Sequence, residues 1–273
     1  MDLPIKFFIH PTYSAFVKIN DLDLRNWKNY DEIITDSLWL FPSRDNSGMH
    51  TPKYHGNFIP QIPRQAMLRF TKRGEWVLDT FAGLGTTLIE AKRLGRNAIG
   101  IEIDENTANM ARELIEQEEN PYNVYTDIII GDSTKEETYE DLPNFQMVII
   151  HPPYWDIIKF SKNNGDLSNS KTLNEFLERF ERVVYLSSQH LDEGRYLVLV
   201  IGDKYSKGEW VPLGFYCMNS VMKNGFKLKS IVVKNIEENR GKRGQYALWR
   251  YRALKDGYYI FKHEYVMFFV KDS

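Results

Sequence analysis

The chain has 273 residues, a length that suits one large α/β domain or a domain with an insertion. Its formal net charge of -2 excludes a polycation, so any contact with a nucleic acid must come from local basic patches. The single cysteine, Cys217, excludes an intramolecular disulfide and a cysteine zinc site, and it favours a reducing compartment. Residues 1–30 lack a signal-peptide pattern and no apolar run reaches membrane-spanning length, so we expect a cytoplasmic protein with no membrane partner.

Residues 1–54 are expected to be an irregular N-terminal extension, and regular elements follow them. The predicted strands are 75–79, 97–102, 124–130, 146–151, 195–202, 227–233 and 264–270. The predicted helices are 61–73, 85–94, 105–119, 173–190 and 211–223. This alternation predicts an α/β fold: a Rossmann-like, seven-stranded, mostly parallel sheet with helices on both faces and an antiparallel C-terminal strand. Because no crossover helix separates the last two strands, we expect an antiparallel hairpin at the sheet edge.

A glycine turn follows the first strand of this predicted sheet. The segment is Asp79-Thr-Phe-Ala-Gly-Leu-Gly-Thr-Thr87, and it opens a helix whose first amides can bind a ligand. Gly83 and Gly85 permit a tight turn and a close approach of a ligand to the backbone. The dinucleotide pattern G-x-G-x-x-G is incomplete because Leu88 occupies the third glycine position, and no G-K-[ST] P-loop is present. A pyrophosphate is therefore not the expected ligand.

Acidic side chains mark the ends of three successive predicted strands. Asp79 ends the first strand, Glu102 ends the second, and Asp132 follows the third. A carboxylate at the second strand end can accept hydrogen bonds from both ribose hydroxyls, and one at the third can accept from an adenine amino group. Polar strand ends without a ligand are the alternative, but three of them around a glycine turn favour a nucleoside site.

The motif His151-Pro-Pro-Tyr154 follows the fourth predicted strand. Its two prolines stiffen the peptide and remove two N–H donors, which leaves carbonyl acceptors. The Pro152 carbonyl and the His151 side chain can together accept both hydrogens of a planar amino group, and Tyr154 offers a face on which a base can stack. We therefore predict that His151, Pro152, Pro153 and Tyr154 are catalytic, with a simple turn-forming Pro-Pro as the alternative.

Together the two motifs resemble those of S-adenosylmethionine-dependent DNA amino-methyltransferases, which methylate adenine N6 or cytosine N4. Residues 79–87 match the Phe-x-Gly-x-Gly motif of that family, and residues 151–154 match its [Asp/Asn/Ser]-Pro-Pro-[Tyr/Phe] motif. Residues 55–70 are similar to the segment that wraps the methionine end of the cofactor in the family. The resemblance implies a methyltransferase domain over 55–273 with S-adenosylmethionine as its cofactor. The implied cofactor-binding residues are Phe58, Pro60, Asp79, Phe81, Gly83, Gly85, Thr86, Thr87, Glu102, Ile103, Asp132 and Ser133.

The chain departs from this family at His151, where the family has Asp, Asn or Ser. A neutral imidazole can accept one hydrogen bond, so His151 can replace that acceptor, but the motif no longer indicates adenine or cytosine. Methylation at cytosine C5 needs a cysteine nucleophile, and Cys217 is predicted to be a core residue of a helix. We therefore expect direct attack by an amino nitrogen, with the target base and the recognition sequence left open.

Two segments are predicted to contact the substrate. Residues 155–171 form a polar active-site loop, and residues 235–258 form an insertion that mixes basic and aromatic side chains. Such a mixture suits phosphates and unstacked bases, and a base must leave the duplex to be methylated; a solvated basic loop is the alternative. The predicted DNA-binding residues are Arg240, Lys242, Arg243, Trp249, Arg250 and Arg252. Double-stranded DNA is the expected partner, and no metal is expected.

Three functions remain open at this point. The first is a DNA amino-methyltransferase, solitary or accompanied by a cognate restriction endonuclease, with a homodimer as one way to enlarge the recognition surface. The second is a tRNA guanine-N2 or protein-amide methyltransferase, because Pro-Pro-Tyr motifs also occur there. Those enzymes usually carry an additional N-terminal domain, for which we expect residues 1–50 to be too short. The third is a nucleoside-binding module without catalysis, which leaves the proline motif unexplained.

Overall fold

An eight-stranded sheet forms the centre of the computed structural model, which describes residues 18–54, 56–236 and 246–272. In chain order, the strands of these residues are β1 (Leu38–Trp39), β2 (Trp76–Asp79), β3 (Asn97–Glu102), β4 (Thr126–Ile130), β5 (Phe145–Ile150), β6 (Leu191–Ile201), β7 (Lys204–Ser206), β8 (Glu209–Val211), β9 (Phe226–Asn235) and β10 (His263–Lys271). β7 and β8 form a separate antiparallel hairpin. The others form the sheet in the order β1-β9-β10-β6-β5-β2-β3-β4.

Helices cover both faces of this sheet. They are α1 (Gln61–Phe70), α2 (Thr86–Leu94), α3 (Glu105–Gln117), α4 (Leu173–Gln189), α5 (Leu213–Lys223) and α6 (Tyr246–Asp256), of which α1 to α5 pack on the sheet. Side chains alternate along each strand, so Val77 of β2 faces the core shared with α1, α2 and α3, and Leu78 faces the core shared with α4 and α5. Cys217 is fully buried in α5, which confirms that it is a core residue.

The order of the parallel strands reverses between β2 and β5. β2, β3 and β4 follow one another on one side, and β5 and β6 continue on the other side of β2, all of them parallel. Asp79 at the end of β2 pairs with Ile149 near the end of β5. Open α/β sheets bind ligands in the crevice at such a switch point. The strand order therefore brings the glycine turn and the His-Pro-Pro-Tyr motif to the same crevice.

The sheet has one strand more than the seven predicted from the sequence. The additional strand, β1, pairs in parallel with β9, Leu38 with Val233 and Trp39 with Lys234. Two residues are too few to show the alternation that reveals a strand in a sequence, and β1 is held by the burial of Trp39 against Phe268. The antiparallel C-terminal strand is confirmed, because β10 runs antiparallel to β6 and β9. The expected position of the hairpin at the sheet edge is wrong, because β1 lies outside β9.

Part of the insertion predicted over 235–258 is helical rather than irregular. α6 covers Tyr246–Asp256, in which Ala, Leu, Arg and Lys favour a helix. The apolar side chains of this helix are only weakly segregated from its polar ones, and Leu248, Tyr251 and Leu254 are exposed rather than packed in a core. A sequence pattern detects a helix mainly through a segregated apolar face, and this explains why the helix was not predicted.

The described residues contain neither a helix suited to a membrane nor a cluster suited to a metal. None of their helices is long and apolar enough to cross a bilayer. They also hold no group of three or more His, Cys, Asp or Glu side chains placed to bind a metal ion. For the whole chain, the expectations of no membrane partner and no metal stay predictions, as does the domain boundary after residue 54.

Candidate active site

The glycine turn between β2 and α2 is held in shape by Asp79. Its Oδ1 accepts the N–H of Phe81 at 3.0 Å, and its Oδ2 accepts the hydroxyl of Thr87 at 2.5 Å, so one buried carboxylate joins both ends of the turn. Burial raises the pKa of Asp79 to about 6. Gly83 and Gly85 have φ angles of 53° and 76°, in the left-handed region that favours glycine. Asp79 therefore orders the backbone that a ligand at this turn contacts.

Glu102 ends β3 and reaches the same turn. Its Oε2 accepts the N–H of Gly83 at 3.0 Å, and its Oε1 accepts the N–H of Asp104 at 2.9 Å. Burial raises the pKa of Glu102 to about 7. Each carboxylate oxygen can accept a second hydrogen bond, so Glu102 can bind the turn and a pair of hydroxyl groups at the same time.

Asp132 and Ser133 follow β4 and complete this edge of the crevice. The Oδ1 of Asp132 accepts the N–H and the hydroxyl of Thr134 at 2.8 and 2.7 Å, which fixes the carboxylate. The Ser133 hydroxyl donates to the carbonyl of Thr80 at 2.6 Å and joins the end of β4 to the glycine turn. The second carboxylate oxygen of Asp132 faces Gly165, where an added Cβ would lie 2.2 Å away. The loop that contains Gly165 therefore lies directly over Asp132.

A narrow cavity lies between these strand ends and that loop. The residues that line it are Thr80, Phe81, Ile101, Glu102, Ile103, Asp132, Ser133, Gly165, Asp166 and Leu167. The structure thus brings the predicted residues Phe81, Glu102, Ile103, Asp132 and Ser133 to one cavity. Its wall combines carboxylates, which can accept hydrogen bonds from sugar hydroxyls, with branched apolar side chains, which can pack on a flat base. This combination suits a nucleoside. The Oγ1 of Thr80 is buried without a hydrogen-bond partner among the described residues, so a polar atom remains for a ligand. These residues fit the adenosyl part of S-adenosylmethionine.

The segment before α1 covers the glycine turn from outside. Tyr54 and Asn57 lie over Gly83, where an added Cβ would be 3.2 Å from a side-chain atom of each. Burial and then the negative charge of Glu102 raise the pKa of Tyr54. Phe58, in the same segment, packs its ring against His151 of the His-Pro-Pro-Tyr motif. The other predicted cofactor-binding residues form the start of α1 and the turn that begins α2, and these are Pro60, Asp79, Gly83, Gly85, Thr86 and Thr87.

The His-Pro-Pro-Tyr motif continues directly from β5. The imidazole of His151 lies between two rings, with centroid distances of 4.9 Å to Phe58 and 5.8 Å to Tyr154. Burial lowers the pKa of His151 to about 4, so its ring is neutral at neutral pH. A neutral imidazole presents one nitrogen as a hydrogen-bond acceptor. The residue that replaces Asp, Asn or Ser therefore keeps an acceptor in the motif.

Tyr154 is supported by two residues that are distant in the sequence. Its hydroxyl donates to Oε2 of Glu264 on β10 at 2.7 Å, and the ammonium of Lys234 on β9 donates to Oε1 at 3.0 Å. Burial acts to raise the pKa of Glu264, but the charge of Lys234 and the hydrogen bonds to the carboxylate hold it below its ordinary value. Neither residue was predicted to belong to the site, because Glu264 begins a predicted strand, Lys234 directly follows another, and neither is part of a motif.

The active-site loop predicted over 155–171 closes the cavity, a role that its sequence did not reveal. Asp166 accepts the N–H groups of Ser161 and Ser168, each at 2.8 Å, and so orders the loop. Gly165 lets the loop backbone approach Asp132 closely. The polar composition of this segment predicted a loop, but only the folded chain shows that it covers the cavity.

A family model described as DNA methylase (N6_N4_Mtase) matches residues 14–113 and 145–273. The matched residues include the glycine turn, the His-Pro-Pro-Tyr motif and the two strands that carry Lys234 and Glu264. The chain belongs to this DNA methylase family. The resemblance found in the sequence is thereby confirmed, and the crevice between β2 and β5 is the candidate active site of a DNA methylase.

Curated relatives of this chain are named type II methyltransferases. M2.DpnII of Streptococcus pneumoniae is 32% identical over 125 residues, which cover 43% of this chain and 47% of the relative. M.MjaII of Methanocaldococcus jannaschii is 27% identical over 160 residues, which cover 55% of this chain and 25% of the relative. M2.LlaDCHI of Lactococcus lactis subsp. cremoris is 28% identical over 121 residues, which cover 41% of this chain and 45% of the relative. The chain spans about half the length of these relatives or less.

A solved S-adenosylmethionine-dependent methyltransferase from Methanosarcina mazei has a similar fold. It aligns with a TM-score of 0.51 and 11% identity, and the alignment covers 76% of this chain and 97% of the other chain. At this identity the likeness concerns the fold alone. It agrees with the Rossmann-like, mostly parallel sheet predicted from the sequence.

Three of the predicted DNA-binding residues of this chain lie on α6. Arg250 and Arg252 are exposed, and the Arg252 guanidinium lies 5.4 Å from the ring centroid of Trp249. The ring of Tyr205 in the β7–β8 hairpin stacks on that of Tyr258, with centroids 4.1 Å apart, and so links the hairpin to the segment after α6. The other three predicted residues lie outside the described part of the chain, and these are Arg240, Lys242 and Arg243. Contact of all six with DNA stays a prediction.

Proposed function

We propose that the chain transfers a methyl group from S-adenosylmethionine to the exocyclic amino group of cytosine (N4) or adenine (N6) in double-stranded DNA. The proposal is carried by the adjacency of two sites at the switch point of the sheet. Asp79 of the glycine turn pairs with Ile149, two residues before His151. A cavity suited to a nucleoside thus adjoins a motif suited to an amino group, and membership of the DNA methylase family supports DNA as the substrate.

In the cofactor half of the site, particular side chains bind particular parts of the cofactor. S-adenosylmethionine, when bound, supplies an electrophilic methyl group on a sulfonium sulfur. The carboxylate of Glu102 binds the ribose hydroxyls, and Asp132 accepts a hydrogen bond from the adenine amino group. Ile103 and Leu167 enclose the adenine ring between apolar surfaces. The proposal includes cofactor contact by all of the predicted cofactor-binding residues.

The base half of the site orients the amino nitrogen. The carbonyl of Pro152 and the neutral imidazole of His151 accept its two hydrogens, and the ring of Tyr154 provides a stacking surface. Direct attack by the nitrogen needs no covalent intermediate with the enzyme. Cys217 agrees with this, because its thiol is buried in α5 and burial raises the pKa of that thiol. Positioning is then the main catalytic contribution.

Recognition of the duplex involves the surface around the crevice. A target base must leave the stack to reach the amino-binding motif, so the protein must hold both the flipped base and the opened duplex. The exposed guanidinium groups of Arg250 and Arg252 suit phosphates, and the exposed ring of Tyr259 suits an unstacked base. A cytoplasmic location, a homodimer and a cognate restriction endonuclease are further parts of the proposal.

A transfer assay tests the substrate class. Purified protein is incubated with labelled S-adenosylmethionine and, in separate reactions, duplex DNA, tRNA and a glutamine-containing peptide. We expect label in DNA alone, and nuclease digestion with mass spectrometry should identify N4-methylcytosine or N6-methyladenine. The Tyr154→Ala variant serves as the control, because it should bind the cofactor and transfer no label. Label in tRNA or peptide alone would contradict a DNA substrate, and C5-methylcytosine would contradict attack by an amino nitrogen.

A further inference from the structure

The hydroxyl of Tyr154 lies at the end of a buried chain of hydrogen bonds that crosses two strands. Lys234 of β9 and Glu264 of β10 are direct partners in the antiparallel register. The Lys234 ammonium donates to one carboxylate oxygen of Glu264 at 3.0 Å, and the Tyr154 hydroxyl donates to the other at 2.7 Å. Tyr154 and Glu264 are 110 residues apart in the sequence.

This buried ion pair is not explained by stability alone. Lys234 and Glu264 are only 6% and 7% exposed. Removing two charges from water costs several kcal/mol for each, and an apolar pair of similar volume is often equally stable. Here each oxygen of the Glu264 carboxylate has one partner, the ammonium on Oε1 and the phenol on Oε2. A charge-assisted hydrogen bond of this kind is short and directional, so it fixes the position of the phenol oxygen.

The ring of Tyr154 is constrained on several sides. Its backbone end follows two prolines, and its hydroxyl is bound to Glu264. Along one edge it approaches Gly202 at the end of β6, where an added Cβ would lie 2.9 Å from Cε2 of the ring. The imidazole of His151 meets the ring at an angle of 80°. The orientation of the ring face is therefore set before any base arrives.

We propose that Lys234 and Glu264 are positioning residues that act through the Tyr154 hydroxyl and hold its ring in the orientation on which the flipped base stacks. This inference rests on the proposed function of the His-Pro-Pro-Tyr motif and adds a role for two residues that carry no motif. Neither residue touches the base or the cofactor. Their effect is on the alignment of the amino nitrogen, and not on the affinity for S-adenosylmethionine.

The Tyr154→Phe variant tests the hydroxyl alone, because it keeps the ring. We expect kcat on duplex DNA to fall about tenfold, since small misalignments of reacting groups slow transfer strongly, with the cofactor Kd and the melting temperature near those of the wild type. Once the methylated position is mapped, 2-aminopurine at that position should fluoresce more strongly with the variant, because the extruded base stacks less firmly. Tyr265→Phe is the matched control: it removes a phenol donor to Asp203 at 3.2 Å on the next residue of β10 and should leave kcat within about twofold.

Paired substitutions test the role of the ion pair. Lys234→Met with Glu264→Leu removes the acceptor without leaving a buried charge, so the protein should remain folded. This double variant should match Tyr154→Phe in kcat and in 2-aminopurine fluorescence. Adding Tyr154→Phe should cause little further loss, because both changes break the same hydrogen bond. Lys234→Met with Glu264→Gln restores a neutral acceptor and should recover most of the activity.

The outcomes separate this inference from the proposed function. Wild-type turnover by Tyr154→Phe, or an additive loss in the triple variant, overturns the positioning role. If the double variants do not fold, the result with Tyr154→Phe decides. If the wild-type protein transfers no methyl group to DNA, the proposed function itself is wrong, so the wild type is measured first.

Discussion

The two halves of the active site are assembled over very different distances along the chain. On the cofactor side, Asp79 bonds to Thr87, 8 residues away, and Glu102 bonds to Gly83, 19 residues away. On the base side, the phenol of Tyr154 bonds to a carboxylate 110 residues away. The cofactor side can be predicted from one local motif, whereas the base side depends on which strands lie beside β6. Changes on the cofactor side should therefore alter cofactor affinity, and changes on the base side should alter turnover.

The largest expected effect is on the cofactor side. Asp79→Ala removes the acceptor for the N–H of Phe81 and for the hydroxyl of Thr87, so the glycine turn loses its shape. Because the variant loses two hydrogen bonds to a charged group, we expect its affinity for S-adenosylmethionine to fall about a thousandfold. Calorimetry measures this affinity. Thr87→Val, which removes one of the two bonds, is the control and should lose less. An equal loss of DNA affinity would contradict the separation of the two halves.

The next largest effect is on the base side, at His151. His151→Ala removes an acceptor for the target amino group, and loss of one such contact at a reacting centre lowers kcat by about a hundredfold. His151→Asn restores an acceptor that the family uses and should stay within about tenfold of the wild type. Cofactor affinity should not change in either variant. Equal kcat values for the Asn and Ala variants would show that His151 is not an acceptor for the substrate.

A smaller effect tests the burial of Glu102. Because the pKa of Glu102 rises from 4.5 to about 7 in the folded protein, its ionisation destabilises the fold as pH increases between those values. The Glu102→Gln variant has no carboxyl group to ionise at this position. Without ligand, the unfolding free energy of the variant minus that of the wild type should therefore increase by about 1–3 kcal/mol as the pH rises from about 4 to about 8. Urea unfolding at both pH values measures this difference. A pH-independent difference between the two proteins would refute the raised pKa.

The smallest expected effect concerns the exposed arginines of α6. Replacing Arg250 and Arg252 with Ala should weaken DNA binding about threefold to tenfold. It should also lower by about two the number of counterions released on binding, which is measured as the slope of the logarithm of affinity against the logarithm of salt concentration. Arg182→Ala, at a half-buried position on α4 whose guanidinium pairs with Glu136, is the control and should leave both quantities unchanged. Fluorescence anisotropy over a series of salt concentrations gives the slope. If the slope does not change, α6 is not part of the DNA surface.

Much of the fold was predictable because its central elements are long, buried and bounded by glycine. β2 and β5 are buried and largely apolar on both faces, and α2 lies between the glycine turn and Gly95, where the left-handed backbone ends it. β1 and α6 were not predictable from the same signals. The first has two residues, and the apolar side chains of the second are only weakly segregated from its polar ones, so neither shows a clear hydrophobic period.

By itself, the sequence determined the family, and it was sufficient to predict the cofactor half of the proposed site and the His-Pro-Pro-Tyr motif. Asp79, Gly83 and Glu102 lie next to strand ends in a regular α/β alternation, and local backbone geometry is enough to bring them together. The tertiary structure alone decided the support of the base half. The pairing of Lys234 with Glu264 depends on the antiparallel register of β9 and β10, and the contact of Glu264 with Tyr154 depends on the pairing of β10 with β6. Such contacts arise from the order of strands in space, which no local pattern of residues specifies.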